Sequence, residues 1–270
     1  MMGCRRVLLF VLASLLVTGL ARAEAEAPAR IALVIDDVGY QWDLDRALLE
    51  LDPRVALAII PEGPHAQSLA RMASEQQREV MVHLPLGGLG YDNCRLALTC
   101  IGMDWDEGRI REHLIEQLRR VPGAIGLNNH QGSHFTGNEE AVRRLVGAIV
   151  ELGDQWLGRS LIVLDSRTVP GTKLESVARS QGLAALRRRV FLDHDNAPEA
   201  IASAWQDLID LARYHGSAIA IGHPRPNTLA FLRLALPSLE AEGVELVTIS
   251  DLAASLGAES ERATGTVTAP

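Results

Sequence analysis

From Ile31 to Leu256 short apolar runs alternate with longer amphipathic stretches. The runs Ile31–Ile35, Val55–Ile59, Glu79–His83, Ala124–Asn128, Leu161–Leu164, Leu183–Leu186, Ala218–Ile221 and Val244–Val247 have the length and composition of strands. Helical periodicity lies between and after them, at Asp43–Leu51, His65–Gln76, Asp106–Arg120, Asn138–Gly153, Lys173–Gln181, Pro198–His215, Asn227–Glu242 and Ser250–Leu256. Strands that are apolar throughout and separated by helices predict parallel strands covered by helices. Eight such alternations, without internal repeats, predict a single α/β domain of the (β/α) barrel kind over 31–256.

The predicted strands share an ending. The first stops on Asp36-Asp37, the third on His83, the fourth on Asn128-Asn129-His130, the fifth on Asp165-Ser166 and the seventh on Gly222-His223. Two adjacent carboxylates closing a buried run are expensive unless something neutralises or uses them, and a metal ion with a reacting water does both. Barrel active sites assemble at the C-terminal ends of the strands, which gives these groups one address. An open doubly wound sheet gathers loops around a single switch point, so polar ends on five strands favour a ring. No Gly-x-Gly-x-x-Gly, phosphate loop or Gly-x-Ser-x-Gly elbow is present, which removes the main support for dinucleotide, nucleotide and serine-hydrolase readings.

The N-terminus reads as a targeting segment. Arg5-Arg6 precede the apolar stretch Val7–Leu20, and Ala21-Arg22-Ala23 has the small-x-small pattern of a cleavage site. Residues 1–23 are therefore expected to be a signal peptide, 24–30 a linker, and 257–270 a disordered tail without an apolar face. The destination is the periplasm or the exterior, with membrane contact only if the signal stays uncleaved. The formal charge is −8 and would become −11 on removal of the three arginines of 1–23. That balance excludes nucleic acid as a partner, which requires clustered Lys and Arg. Cys94 and Cys100, inside the Gly-rich segment 87–102, are candidates for a disulfide in an oxidising compartment, although closeness in sequence does not fix their geometry.

Ile35-Asp-Asp-Val-Gly39, His83-Leu-Pro-Leu86, Gly126-Leu-Asn-Asn-His-Gln-Gly-Ser133 and Ile221-Gly-His-Pro224, in this order and spacing, resemble the divergent, secreted bacterial branch of the polysaccharide deacetylase (NodB-homology) superfamily. The resemblance implies a deformed (β/α) barrel holding one divalent metal ion, usually Zn²⁺, that hydrolyses N- or O-acetyl groups on envelope glycans. It implies Asp36 as general base, Asp37 and His83 as metal ligands and His223 as catalytic acid. Typical members carry a second His four residues after the first; this chain has Gly87 there, and His130 is the replacement candidate.

The chemistry can be argued from the residues as well. Three protein ligands, Asp37, His83 and His130, leave an open coordination position for water and a carbonyl. Asp36 can take a proton while His223, protonated with the help of an acidic partner such as Asp165, gives one to the leaving group. Asn128, Asn129, Gly132 and Ser133 are the substrate-binding candidates: backbone N–H groups of Gln131, Gly132 and Ser133 would receive an oxyanion, with the two Asn side chains orienting the loop.

Plainer readings stand beside these. Asp37 before Val38-Gly39 also fits a turn or cap, and His83 and His130 also fit hydrogen-bonded core histidines. His134 shares an i, i+4 spacing with His130, across Gly132. Asp193 and Asp195 fit either the lining of the cleft or a place just before the helix beginning at Pro198, and capping is the expectation. Trp105 fits either packing or a sugar platform. The rival function is a binding or scaffolding protein that retains the barrel without turnover; another metal-dependent hydrolase is a further alternative.

Overall fold

The computed structural model describes residues 28–87 and 100–255. The expected signal peptide, most of the linker, Cys94 and the expected tail lie outside the described residues. Cys100 is disulfide-bonded, to a partner that also lies outside them.

Nine strands form one sheet among the described residues: β1 (Ala29–Val38), β2 (Ala56–Ile59), β3 (Val80–Leu86), β4 (Gly126–Gln131), β5 (Ile162–Asp165), β6 (Ala185–Arg187), β7 (Val190–Phe191), β8 (Ser217–Gly222) and β9 (Val244–Leu246). Every pairing is parallel, in the order β6-β5-β4-β3-β2-β1-β8-β7. β9 pairs with Ala29–Ile31, below the stretch of β1 that pairs with β2, while β8 takes the other edge of β1. The sheet curls into a half-barrel, and among the described residues no pairing joins β6 to β7. The fold is thus the deformed barrel expected, with one strand more than predicted. The unpredicted strand, β7, has two residues, too few for a periodic signal. β1 begins at Ala29, inside the range expected to be linker.

Helices α1 (Trp42–Leu48), α2 (Ala66–Glu75), α3 (Glu107–Arg120), α4 (Ser133–Gly137), α5 (Glu139–Leu152), α6 (Leu174–Ser180), α7 (Pro198–His215) and α8 (Pro226–Ala235) connect the strands. α3 and α5 are capped by Asp106 and Asn138, whose side chains accept from Arg109 N–H at 2.7 Å and Ala141 N–H at 3.0 Å. α4 was not predicted, because Gly132 obscures a helix of only five residues. Among the described residues no helix is long and apolar enough to cross a membrane.

Two apolar clusters divide the strands by parity. Ile31, Leu33, Ile35, Val80, Val82, Leu127 and Val163 face the helices, whereas Ala32, Val34, Met81, Leu164, Ile219 and Ile221 fill the concave side. A period of two then assigns the polar ends. Asp36, His83, Asn128, His130, Ser166, Asp193 and His223 continue the concave parity. Asp165 continues the parity of Val163, towards the helices.

Candidate metal centre and active site

Asp37 breaks the alternation. By parity it would point at the helices, but its φ is +58°, and the register of β1 against β2 slips between Ile35 and Val38. This bulge brings two neighbouring carboxylates to one side, a known use of bulges beside active sites. Aspartate tolerates the left-handed region better than most residues. Gln131 and Arg167, at the ends of β4 and β5, also have positive φ.

Three ligand atoms from β1, β3 and β4 converge. Asp37 Oδ1 lies 3.1 Å from His83 Nε2 and 3.0 Å from His130 Nδ1, and the two nitrogens are 3.0 Å apart. Ligands bound tetrahedrally to one zinc-sized ion are about 3.3–3.6 Å from each other, so the triangle fits such an ion with a slight expansion. The hydrogen bonds fix what these atoms offer. Asn128 Nδ2 donates to Asp36 Oδ1 at 2.8 Å, so its Oδ1 receives the Nδ1–H of His83 at 2.9 Å. In its neutral form His83 therefore turns a lone pair towards the Asp37 carboxylate, and with a second proton it donates to it. Two acceptors 3.1 Å apart need a cation between them, and the donor set fits a divalent metal with an open position.

Electrostatics agree with this. Burial pushes Asp36 above the usual carboxylate range, against the opposing influence of His83 and Asn128. Burial acts the same way on Asp37, but hydrogen bonds from His130 and His83 outweigh it and hold the carboxyl well below that range. His83 is pulled down by burial and raised further by Asp36 and Asp37. The negative potential that favours a proton there favours any cation.

His223, after β8, faces the triangle: its Nε2 is 4.0 Å from Asp37 Oδ2. Its partner is not Asp165. Asp193, fully buried after β7, accepts from His223 Nδ1 at 2.7 Å, His223 N–H at 2.8 Å and Thr228 Oγ1 at 2.6 Å. Burial lowers the pKa of His223, but the Asp193 hydrogen bond and charge more than restore it. Asp165 lies on the helix side, where it accepts from the N–H groups of Arg167 and Glu175 and from Thr172 Oγ1. Parity excludes it from the site. Asp195 precedes α7 in an Asx turn, accepting from Ala197 N–H at 3.0 Å, but does not cap it: the N-cap is Ala197, without a side-chain bond.

The loop-forming residues take internal roles. Asn128 lies behind His83, tying it to Asp36 and Ser166. Asn129 donates to Gln131 O and accepts from Ser166 N–H, clamping β4 to β5. Ser133 Oγ donates to Thr168 O. Gly132 has φ +78°, and a Cβ there would meet Leu86 Cβ at 2.6 Å, so only glycine turns β4 into α4. His134 is exposed on α4, outside the ligand cluster. Arg109 covers the Trp105 ring at 3.9 Å with His113 at its edge, an arrangement of packing.

Sequence reasoning prefers a capping role for Asp193, whereas the structure bonds it to His223 and Thr228 in the cleft. The signal was Val190-Phe191-Leu192, a short apolar run ending on an acid like the others. A cavity of about 810 Å³ opens elsewhere, among Pro28, Arg54 and Leu246 at the start of β1, away from the strand-end groups.

Comparison with known proteins agrees with the architecture. The chain is 34% identical over 235 residues to an uncharacterized protein of Haemophilus influenzae, covering 87% of this chain and 80% of that one. It is 32% identical over 233 residues to the uncharacterized protein YibQ of Escherichia coli, covering 86% and 70%. The crystal structure of the uncharacterized protein ATU2773 from Agrobacterium tumefaciens C58 has the same fold, with a TM-score of 0.76 and 20% identity over 84% of this chain and 90% of that one. Residues 33–253, which hold all the strand-end groups described, match the divergent polysaccharide deacetylase family, and the chain belongs to that family.

Proposed function

We propose that this protein is a secreted, metal-dependent hydrolase that removes acetyl groups from an envelope glycan. The carrying observation is the convergence of Asp37 Oδ1, His83 Nε2 and His130 Nδ1 within 3.1 Å, beside a buried carboxylate and a His–Asp pair. Asp37, His83 and His130 would hold the ion, for which nitrogen and oxygen donors favour zinc. When bound, a divalent ion supplies Lewis acidity that polarises a carbonyl and acidifies water.

The remaining steps belong to the side chains. Asp36 uses Oδ1 to accept from Asn128, which leaves Oδ2 to take a proton from the attacking water. Its raised pKa brings it closer to neutrality, where a general base works best. His223 carries a proton on Nε2 towards the leaving amine or alkoxide, while Asp193 fixes the ring and stabilises its charged form. Secretion rests on Arg5-Arg6, the apolar stretch Val7–Leu20 and Ala21-Arg22-Ala23.

The test is release of acetate from an N-acetylated oligosaccharide by the zinc-loaded protein. His223→Ala is expected to lose about 10²- to 10⁴-fold on that substrate and proportionately less on an aryl acetate, whose leaving group departs without an acid. No release from any acetylated glycan or aryl acetate would favour the second reading, a glycan-binding protein without turnover. The observation behind that reading is Gly87 where typical deacetylases carry their second histidine ligand.

A further inference from the structure

The chain is acidic, at −8, yet Arg167, Arg187, Arg188 and Arg189 gather where β5 ends and β6 bends into β7. The carboxylates nearby are already engaged. Asp165 is used by the β5–α6 loop, and Glu175 pairs with Arg179 at 2.9 Å and Arg187 at 3.4 Å. Among the described residues neither Arg167 nor Arg188 has an ion-pair partner.

Arg188 is fixed at the edge of the candidate active site. Its Nε donates to Ser166 O at 2.7 Å and one Nη to Arg167 O at 2.9 Å. Its guanidinium carbon lies 3.5 Å from the centre of the Phe191 ring, and that ring stacks on His223 with centroids 6.0 Å apart. Burial, and then the charge of Arg167, lowers its pKa to about 10, against the opposing charges of Asp165 and Asp36. Arg167 is held in a left-handed conformation, φ +50°, by its N–H bond to Asp165 and its carbonyl bond from Arg188. Its half-exposed side chain has no partner among the described residues. Partly desolvated guanidinium groups without an ion-pair partner, beside an aromatic face, await an anion, and the whole fork of Arg167 together with the N–H groups that Arg188 does not give to Ser166 O and Arg167 O match a carboxylate or a phosphate.

We propose that Arg188 and Arg167 form an anion subsite next to His223, so that the acetylated glycan taken by this site carries a carboxylate or phosphate group near the acetyl to be removed. The proposal rests on the hydrolase reading above. It names the substrate class within that reading: an acidic glycan in preference to a neutral one.

The experiment uses the full chain loaded with zinc and three N-acetylated oligosaccharides of equal length: one neutral, one with a carboxylate on alternate sugars and one with a phosphomonoester. Acetate release gives kcat/KM, and calorimetry on Asp36→Asn gives binding without turnover. The better acidic probe, which identifies the anion, is expected to exceed the neutral one by about 10- to 100-fold, mostly through KM. Arg167→Gln and Arg188→Gln should each lower that ratio, and the double variant should bring it close to one. Arg167→Gln removes no internal side-chain bond, so it reads the charge even if Arg188→Gln unfolds. Equal turnover and binding of acidic and neutral probes, or a preference that survives Arg167→Gln and the double variant, would overturn the subsite while leaving the hydrolase reading intact. Arginine-dependent binding of an acidic probe with no acetate release would uphold the subsite and defeat the hydrolase reading.

Discussion

His83 Nδ1 and Asn128 Oδ1 are 2.9 Å apart, and this one bond determines which nitrogen of His83 faces Asp37. Asn128 has no freedom to reverse, since its amide nitrogen is committed to Asp36 and Ser166. Asn128→Ala is therefore expected to weaken zinc affinity about 10- to 100-fold, as loss of such outer partners does elsewhere. Competition with a chelating dye measures it. Unchanged affinity would mean that His83 is oriented by the metal alone.

Asp36 and Asp37 are adjacent but are assigned different tasks. Asp36 is buried and bonded to Asn128, whereas Asp37 touches both imidazoles. Asp36→Asn should keep one equivalent of metal and lose turnover by at least about 10²-fold. Metal analysis together with acetate release separates the roles. Loss of metal in this variant would make Asp36 a ligand.

The Asp193–His223 pair predicts two pH effects. Asp193 has a lowered pKa, so its stabilising contribution is full above about pH 4 and declines as pH falls through its folded value. His223 has a raised pKa, so its contribution is full below about pH 6.5 and declines as pH rises through its folded value. Denaturant melts between pH 3 and 9 should show stability greatest between these limits, and Asp193→Asn should flatten the profile. In the kinetics, His223 must be protonated to act, and Asp193→Asn lowers its pKa. The alkaline limb of kcat should then move to lower pH. A limb that stays in place would remove His223 from the acid role.

Much of this was legible in the chain because strand parity and strand ends are local properties. The runs before Asp36, His83, Asn128 and His223 announced both the strands and the groups they deliver. The bulge at Asp37 was not legible, since left-handed backbone in an aspartate leaves no compositional trace. Asp165 and Asp193 were exchanged for a related reason. Both faces of β5 are apolar, with Val163 on one and Leu164 on the other, so composition does not mark the face that Asp165 continues, and the two residues of β7 are too few for a periodic signal. Arg188 gave no signal because its partners are backbone carbonyls of a different strand end.

Arg78 shows what holds the site's scaffold in place. It is 3% exposed, and its guanidinium donates to the carbonyls of Leu49, Leu51, Asp52 and Val55. It thereby pins the segment between α1 and β2, and burial lowers its pKa to about 10. Arg78→Ala leaves those carbonyls unpaired and should destabilise the fold by about 2–4 kcal/mol in urea melts. Arg78→Lys, without the planar fork, should recover only part of that loss. Full stability of the alanine variant would mean that water replaces the guanidinium.

The central claim is that three side chains from three strands hold the ion on which acetyl hydrolysis depends. The most direct measurement titrates Zn²⁺ into chelator-stripped protein while recording bound metal and acetate release from an N-acetylated oligosaccharide. The account predicts that both rise together and saturate at one equivalent. Asp37→Ala, His83→Ala and His130→Ala should each abolish the rise in both. Acetate release that persists in the stripped protein, or a full equivalent of tightly bound zinc in all three variants, would contradict it.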